Sequence, residues 1–151
     1  MTTAVRDFSF SARTPMPYQR VLSVLREAVK RNGFEVLCEL PLDRELERRV
    51  GLRCQHCTVL VLWSPFDAYQ AVLSDRDGGL LVPFNVTVAE HGDSTVVAAT
   101  NHAAWSLNEA PIGVQVLAQT LARKVRRIFL ELAVQENVPE YREVRESAAE
   151  R

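Results

Sequence analysis

A chain of 151 residues, 47% of them hydrophobic, has the length of one ordinary domain and enough apolar side chain to bury a core. Its 18 Lys and Arg against 19 Asp and Glu leave a formal charge of −1, which gives nucleic acid or anionic lipid no long-range attraction. Three cysteines with no secretory framework, and an N-terminus with an early acid and no apolar leader, predict free thiols in a reducing cytoplasm. The longest unbroken apolar run, Val59 to Trp63, falls far below the ~20 residues of a membrane span.

In chain order, residues 5–12 alternate Phe8, Phe10 and Ala12 against Asp7, Ser9 and Ser11, the period of a half-buried strand. After the turn at Thr14–Pro17, the apolar residues Val21, Leu22, Val24, Leu25, Ala28 and Val29 recur at helical spacing from Tyr18 to Asn32, with Gly33 placed for a left-handed C-cap. Phe34, Val36, Cys38 and Leu40 then alternate with Glu35 and Glu39, predicting a strand with Cys38 facing the core. Asp43 can cap a short helix carrying Leu46 and Val50 that stops at Gly51. Cys57 to Trp63 is apolar at nearly every position, the pattern of a central strand covered on both faces by helices or a second subunit.

Ser64-Pro-Phe-Asp67 is a helix start: the serine can accept from the Asp67 amide, the aspartate can reach back, and Pro65 gives up an N–H that has no partner there. That helix runs to about Leu73. Asp75–Gly79 turns into a strand from Leu80 to Ala89, where Pro83 predicts an edge or bulge. His91-Gly-Asp93 leads by a tight turn into Ser94–Thr100, a hairpin. Pro111 opens a long helix to about Asn137 with a stripe of Val114, Leu117, Leu121, Val125, Ile128 and Leu132. The order βαβ(α)βαββα predicts an α+β fold: a two-layer α/β sandwich on a mainly antiparallel sheet of about five strands, one domain over residues 1–138 with a charged tail at 139–151.

Chemistry concentrates in few places. Cys54-Gln-His-Cys57 has the i, i+3 thiol spacing of soft-metal and dithiol redox motifs, with His56 between. A closed metal site needs further ligands, from Cys38, His91 or His102 or from another subunit; the plainer reading is one buried strand cysteine beside an exposed loop cysteine. Arg123 and Arg127 share a helix face and could grip an anion, though Glu131 stands four residues on to neutralise Arg127 and a solvated face is the plainer account. Trp63, Tyr69, Phe84, His102 and Trp105 are side chains that could line a pocket; structural core is the plainer reading for most of them, with His102 and Trp105 the exceptions because they lie in a connection outside the periodic elements. No G-x-S-x-G elbow, H-E-x-x-H helix or glycine-rich phosphate loop occurs, which lowers the case for an enzyme.

Gly33-Phe-Glu-Val-Leu-Cys-Glu-Leu-Pro, then Val-Leu-Trp-Ser-Pro65, then Gly79-Leu-Leu-Val-Pro-Phe-Asn-Val-Thr-Val88 resemble, in order and spacing, the domain-of-unknown-function 302 family between about Tyr18 and Thr100. The resemblance implies an α/β sandwich on an antiparallel sheet, commonly dimeric and cytoplasmic, with no assigned activity. Members often carry cysteines where this chain has Trp63 and Phe84, and asparagine where it has Ser64, so a thiol role at those positions does not transfer; Pro83 and Asn85 match. The expectation is a cytoplasmic, homodimeric, non-catalytic binding or accessory protein for a small apolar or anionic ligand, with Trp63, Tyr69, Phe84, Asn85, His102 and Trp105 as its pocket and no cofactor. The alternative is a thiol-redox or soft-metal protein using Cys54, His56 and Cys57. Nucleic acid ranks last as a partner.

Overall fold

The computed structural model describes residues 1–105 and 109–137, without the side chain of Trp105. Among these, six strands form one antiparallel sheet: β1 (Thr2–Val5), β2 (Ser9–Thr14), β3 (Glu35–Pro41), β4 (Cys57–Trp63), β5 (Phe84–His91) and β6 (Ser94–Thr100). Their spatial order is β1-β2-β6-β5-β4-β3. The α-helices are α1 (Tyr18–Arg31), α2 (Leu42–Val50), α3 (Pro65–Ser74) and α4 (Ile112–Glu136), and 3-10 turns lie at Gly78–Leu80 and His102–Trp105.

Strand alternation decides which side chains enter the core. Val97 pairs with Ala12 on one side and Val88 on the other, Leu60 with Val86, and Leu62 with Phe84; all are buried on one face of the sheet. Onto that face α1 lays Val21, Leu22, Leu25 and Val29, and α4 lays its whole predicted stripe from Val114 to Leu132, every member buried. Each large side chain so removed from water contributes about 1.5–3 kcal/mol before conformational entropy is counted. Gly33, at φ +80°, reverses the chain after α1, and the Phe34 amide donates back to Val29 O, which drops the Phe34 ring into the core.

Several expectations change. The N-terminal strand is a hairpin of two, β1 and β2, because the Arg6 amide donates to Ser9 O and Asn101 holds the carbonyls of Arg6 and Phe8; Phe8 is left exposed. Cys38 is exposed instead of buried, since a β-bulge between Val36 and Cys38 adds one residue and moves Cys38 and Leu40 to the opposite face. β4 is next to the edge strand rather than central, and only its Thr58, Leu60 and Leu62 side is buried; Cys57, Val59, Val61 and Trp63 stay half-buried. Strand β5 begins at Phe84, after Pro83, so the proline lies outside the ladder and no edge is needed. Asp43 lies inside α2 and does not cap it, its carboxylate being turned to His56 and the Cys57 amide; no residue of α2 is buried, and Val50 is exposed.

Candidate functional site

Ser64 Oγ accepts from the Asp67 amide and Pro65 occupies the first turn, so α3 starts where the sequence places it. It ends at Ser74, and Asp75 turns the chain by accepting the Asp77 amide on Oδ1 at 2.8 Å. The turn at Gly78 then meets α3 at a distance only glycine allows: a Cβ there would stand 1.9 Å from Ala71 O. Gly113, in the first turn of α4, meets Ser74 almost as closely, its Cβ position 2.7 Å from Oγ. These two approaches join α3, the 3-10 turn and the start of α4, and an open cavity of about 920 Å³ lies between the turn that follows α3 and the segment leading into α4. Its floor is apolar, formed by Leu80, Leu81, Ala104, Ala110, Pro111 and Val114. Carboxylates of Asp7, Asp75, Asp77 and Glu109 complete the lining, so the cavity favours an apolar body and repels an anion.

A second, smaller cleft of about 260 Å³ opens between α1 and the β3–α2 corner. On one wall His56 stacks on Tyr18 with ring centroids 5.5 Å apart, and its Nδ1 meets Asp43 Oδ2 at 3.1 Å. The other Asp43 oxygen accepts the Cys57 amide at 3.3 Å. Partial burial pushes the Asp43 carboxyl up, but the hydrogen bonds from His56 and Cys57 outweigh it and hold the group below its ordinary range. Burial raises the Tyr18 hydroxyl, which shares a hydrogen bond with Thr58. At the far end Arg26 grips Glu39 with both nitrogens, at 2.6 and 2.7 Å, and keeps that carboxyl ionised to lower pH than usual. Cys54 is exposed and Cys57 half-buried beside this cleft; burial first, then the charges of Cys54 and Asp43, push the Cys57 thiol up, the reverse of what a reactive thiolate needs. Among the described residues no group of three or more His, Cys, Asp or Glu side chains is placed to hold a metal ion.

The model of one protein family, described as a domain of unknown function, matches residues 10–132, from β2 through most of α4. The chain belongs to the DUF302 family. A solved structure, an uncharacterised conserved DUF302 protein from Bacillus stearothermophilus, superposes with a TM-score of 0.74 at 15% identity, covering 82% of this chain and 97% of that one. That likeness establishes the fold. No curated protein matches the chain.

In this DUF302 protein the six residues expected to line one pocket fall in different places. Phe84 is core, edge-on to Phe34 at 5.3 Å and to His102 at 4.6 Å. His102 is fully buried, its Nε2 3.1 Å from Leu81 O and its Nδ1 without a hydrogen-bond partner among the described residues; burial holds the ring below the ordinary imidazole pKa, against the opposing pull of the Leu81 and Thr100 backbone. Trp63 and Asn85 sit on the open face of the sheet, Trp63 donating from Nε1 to Glu35 Oε2 at 3.1 Å. Tyr69 points outward from α3, and the Trp105 side chain lies outside the described residues. None of the five described side chains lines the large cavity, which apart from Val114 of the α4 stripe is built from turn and cap residues with no periodic signal.

Two further groups escaped the sequence. Asp67 does not complete its cap with the side chain but buries its carboxylate against Lys124, Nζ to Oδ2 2.6 Å, with Nζ also 5.4 Å from the centroid of the Phe34 ring. Glu131 does not neutralise Arg127; it binds Arg31 and Asn32 of the α1 end. Arg123 and Arg127 remain exposed on α4, and the Arg123 guanidinium reaches Thr120.

Proposed function

We propose that this DUF302 protein is a cytoplasmic, homodimeric and non-catalytic binding protein for a small molecule with an apolar body, uncharged or cationic, held in the cavity between the turn after α3 and the segment leading into α4. The observation that carries the reading is the cavity itself: about 920 Å³, within the range of small-molecule sites, with an apolar floor and a few polar groups at its lining. The carboxylates argue against the anionic ligand that the sequence left open. Two features support a binding role over catalysis. Among the described residues His56 has Asp43 as its hydrogen-bond partner and no serine or cysteine nucleophile, and the Cys57 thiol is shifted away from the thiolate. Three unbridged cysteines support a reducing compartment.

Titration with Nile red, a neutral apolar dye, tests the reading. The expected outcome is saturable binding at one dye per chain that Ala104→Trp, which fills the floor, abolishes while the circular dichroism spectrum is kept. Absence of saturable binding to the wild type, or equal binding to Ala104→Trp, refutes it.

A further inference from the structure

The helical layer presents apolar side chains to solvent where a lone chain would place polar ones. On α3, Phe66, Tyr69, Val72 and Leu73 form the outward stripe, opposite the buried Asp67 and Ala71. Leu80 of the 3-10 turn continues it, and Ile112 and Val116 extend it onto the first turns of α4, which pack beside α3 through Gly113 and Ser74. Exposures of 56–75% at these seven large residues leave roughly 800 Å² of apolar side chain in one region. A monomer's largest apolar patch is about 300–600 Å², and a stable dimer needs about 800 Å² from each partner. The open face of the sheet is a weaker candidate: its apolar Val59, Val61, Val96 and Ala98 are half-buried and interleaved with Thr87 and Thr100.

We propose that a second copy of this chain docks on the outer face of α3 and the start of α4, and that its seating closes the cavity. The occupant is a second copy because the area matches one isologous dimer and the stripe carries no charge for a polar partner to read. The closure follows from continuity: Leu80 belongs to both the stripe and the cavity floor, and Pro111, which lines the cavity, immediately precedes the exposed Ile112. Ligand binding and dimerisation are therefore linked, each strengthening the other. The closure rests on the ligand-binding reading above; the docking face does not.

Sedimentation equilibrium of the full chain from 1 to 100 µM, with Nile red titrations at the two ends of that range, tests both parts. The wild type is expected to be largely monomeric at 1 µM and dimeric at 100 µM, and to bind dye at least tenfold more tightly at the high end. Val72→Lys, at a site exposed in the single chain and so compatible with folding, is expected to weaken the dimer at least 100-fold and the dye about tenfold. Val61→Lys, on the open sheet face, is expected to leave the dimer intact, and Ala104→Trp to lose the dye while remaining dimeric. A wild type monomeric at 100 µM, a dimer that survives both Val72→Lys and Tyr69→Lys, or a Val61→Lys variant that dissociates overturns the docking face. Dye affinity independent of protein concentration overturns the closure. A wild-type dimer that binds no dye, with Val72→Lys monomeric, upholds the docking face and refutes the ligand reading and the closure together.

Discussion

Replacing Lys124 by methionine probes the buried ion pair that joins α3 to α4. The Asp67 side chain is 3% exposed and Lys124 26%, with Nζ 2.6 Å from Oδ2, so the substitution strips the cation from a carboxylate that water barely reaches. Breaking a buried pair by removing one partner costs about 3–5 kcal/mol, and the partial exposure of Lys124 admits some solvent to the gap, so about 2–4 kcal/mol is expected. For a chain of this length that corresponds to a fall in Tm on the order of 10 °C. Asp67→Asn alone should cost less, about 1–2 kcal/mol, because the ammonium it leaves behind can turn to water. The double variant Lys124→Met/Asp67→Asn should recover part of the loss, giving a coupling of about 1–3 kcal/mol in urea unfolding followed by circular dichroism. A Lys124→Met loss below about 0.5 kcal/mol, or strict additivity in the double variant, would refute the argument that the pair is desolvated.

Gly78→Ala puts a methyl 1.9 Å from Ala71 O and must part the 3-10 turn from α3, with an expected loss of at least ~3 kcal/mol in the same assay; Gly79→Ala, with nothing within 4 Å, should cost under ~0.5 kcal/mol. His102 is neutral when buried and its folded pKa lies below 6.5, so the unfolded chain takes up the proton first as pH falls. Its contribution is therefore full above pH 6.5 and lost progressively below it; the stability difference between the wild type and His102→Gln should shrink from pH 7.5 to 5.5, and a constant difference would contradict the assignment. Alkylation with iodoacetamide at pH 7.5, read by peptide mass, should modify the exposed Cys38 and Cys54 before Cys57, whose thiol is pushed up. If Cys57 reacted fastest, the thiol-redox alternative would regain its footing.

What the sequence could reveal was whatever repeats locally. The stripe from Val114 to Leu132 and the Val21–Val29 face recur at 3.6 residues, and both are buried as read except for Val24, which is half-buried. Gly33 was visible because a positive φ after a periodic segment has few other occupants. Cys38 was misplaced because nothing in Val36-Leu37-Cys38 announces a bulge, and one extra residue reverses every side chain beyond it. β1 escaped because Thr2-Thr3-Ala4-Val5 lacks alternation and forms only by pairing with β2. The Asp67–Lys124 pair joins positions 57 apart in sequence, and the cavity joins Asp7 to Val114, distances across which no motif spacing operates. Sequence aromatics pointed to Phe84 and His102, which are core because large rings bury well; the cavity is lined instead by aliphatic and acidic residues of turns and caps.

The bulge in β3 also governs how many molecules can join through backbone. β3 ends the sheet on one side, and an open row of amides and carbonyls is where a further strand would add. Here the row is interrupted at Leu37, and the residue after Cys38 turns a charge inward, Glu39 clamped by Arg26. At the opposite border β1 is only four residues long, and the Met1 amine is tied to Glu136 of α4 at 2.7 Å. Neither border is a template for strand addition, so concentrated solutions of the protein should hold discrete pairs and no filaments, with static light scattering as the measure. The sheet is closed to growth at both ends, which leaves the proposed pairing to the helices.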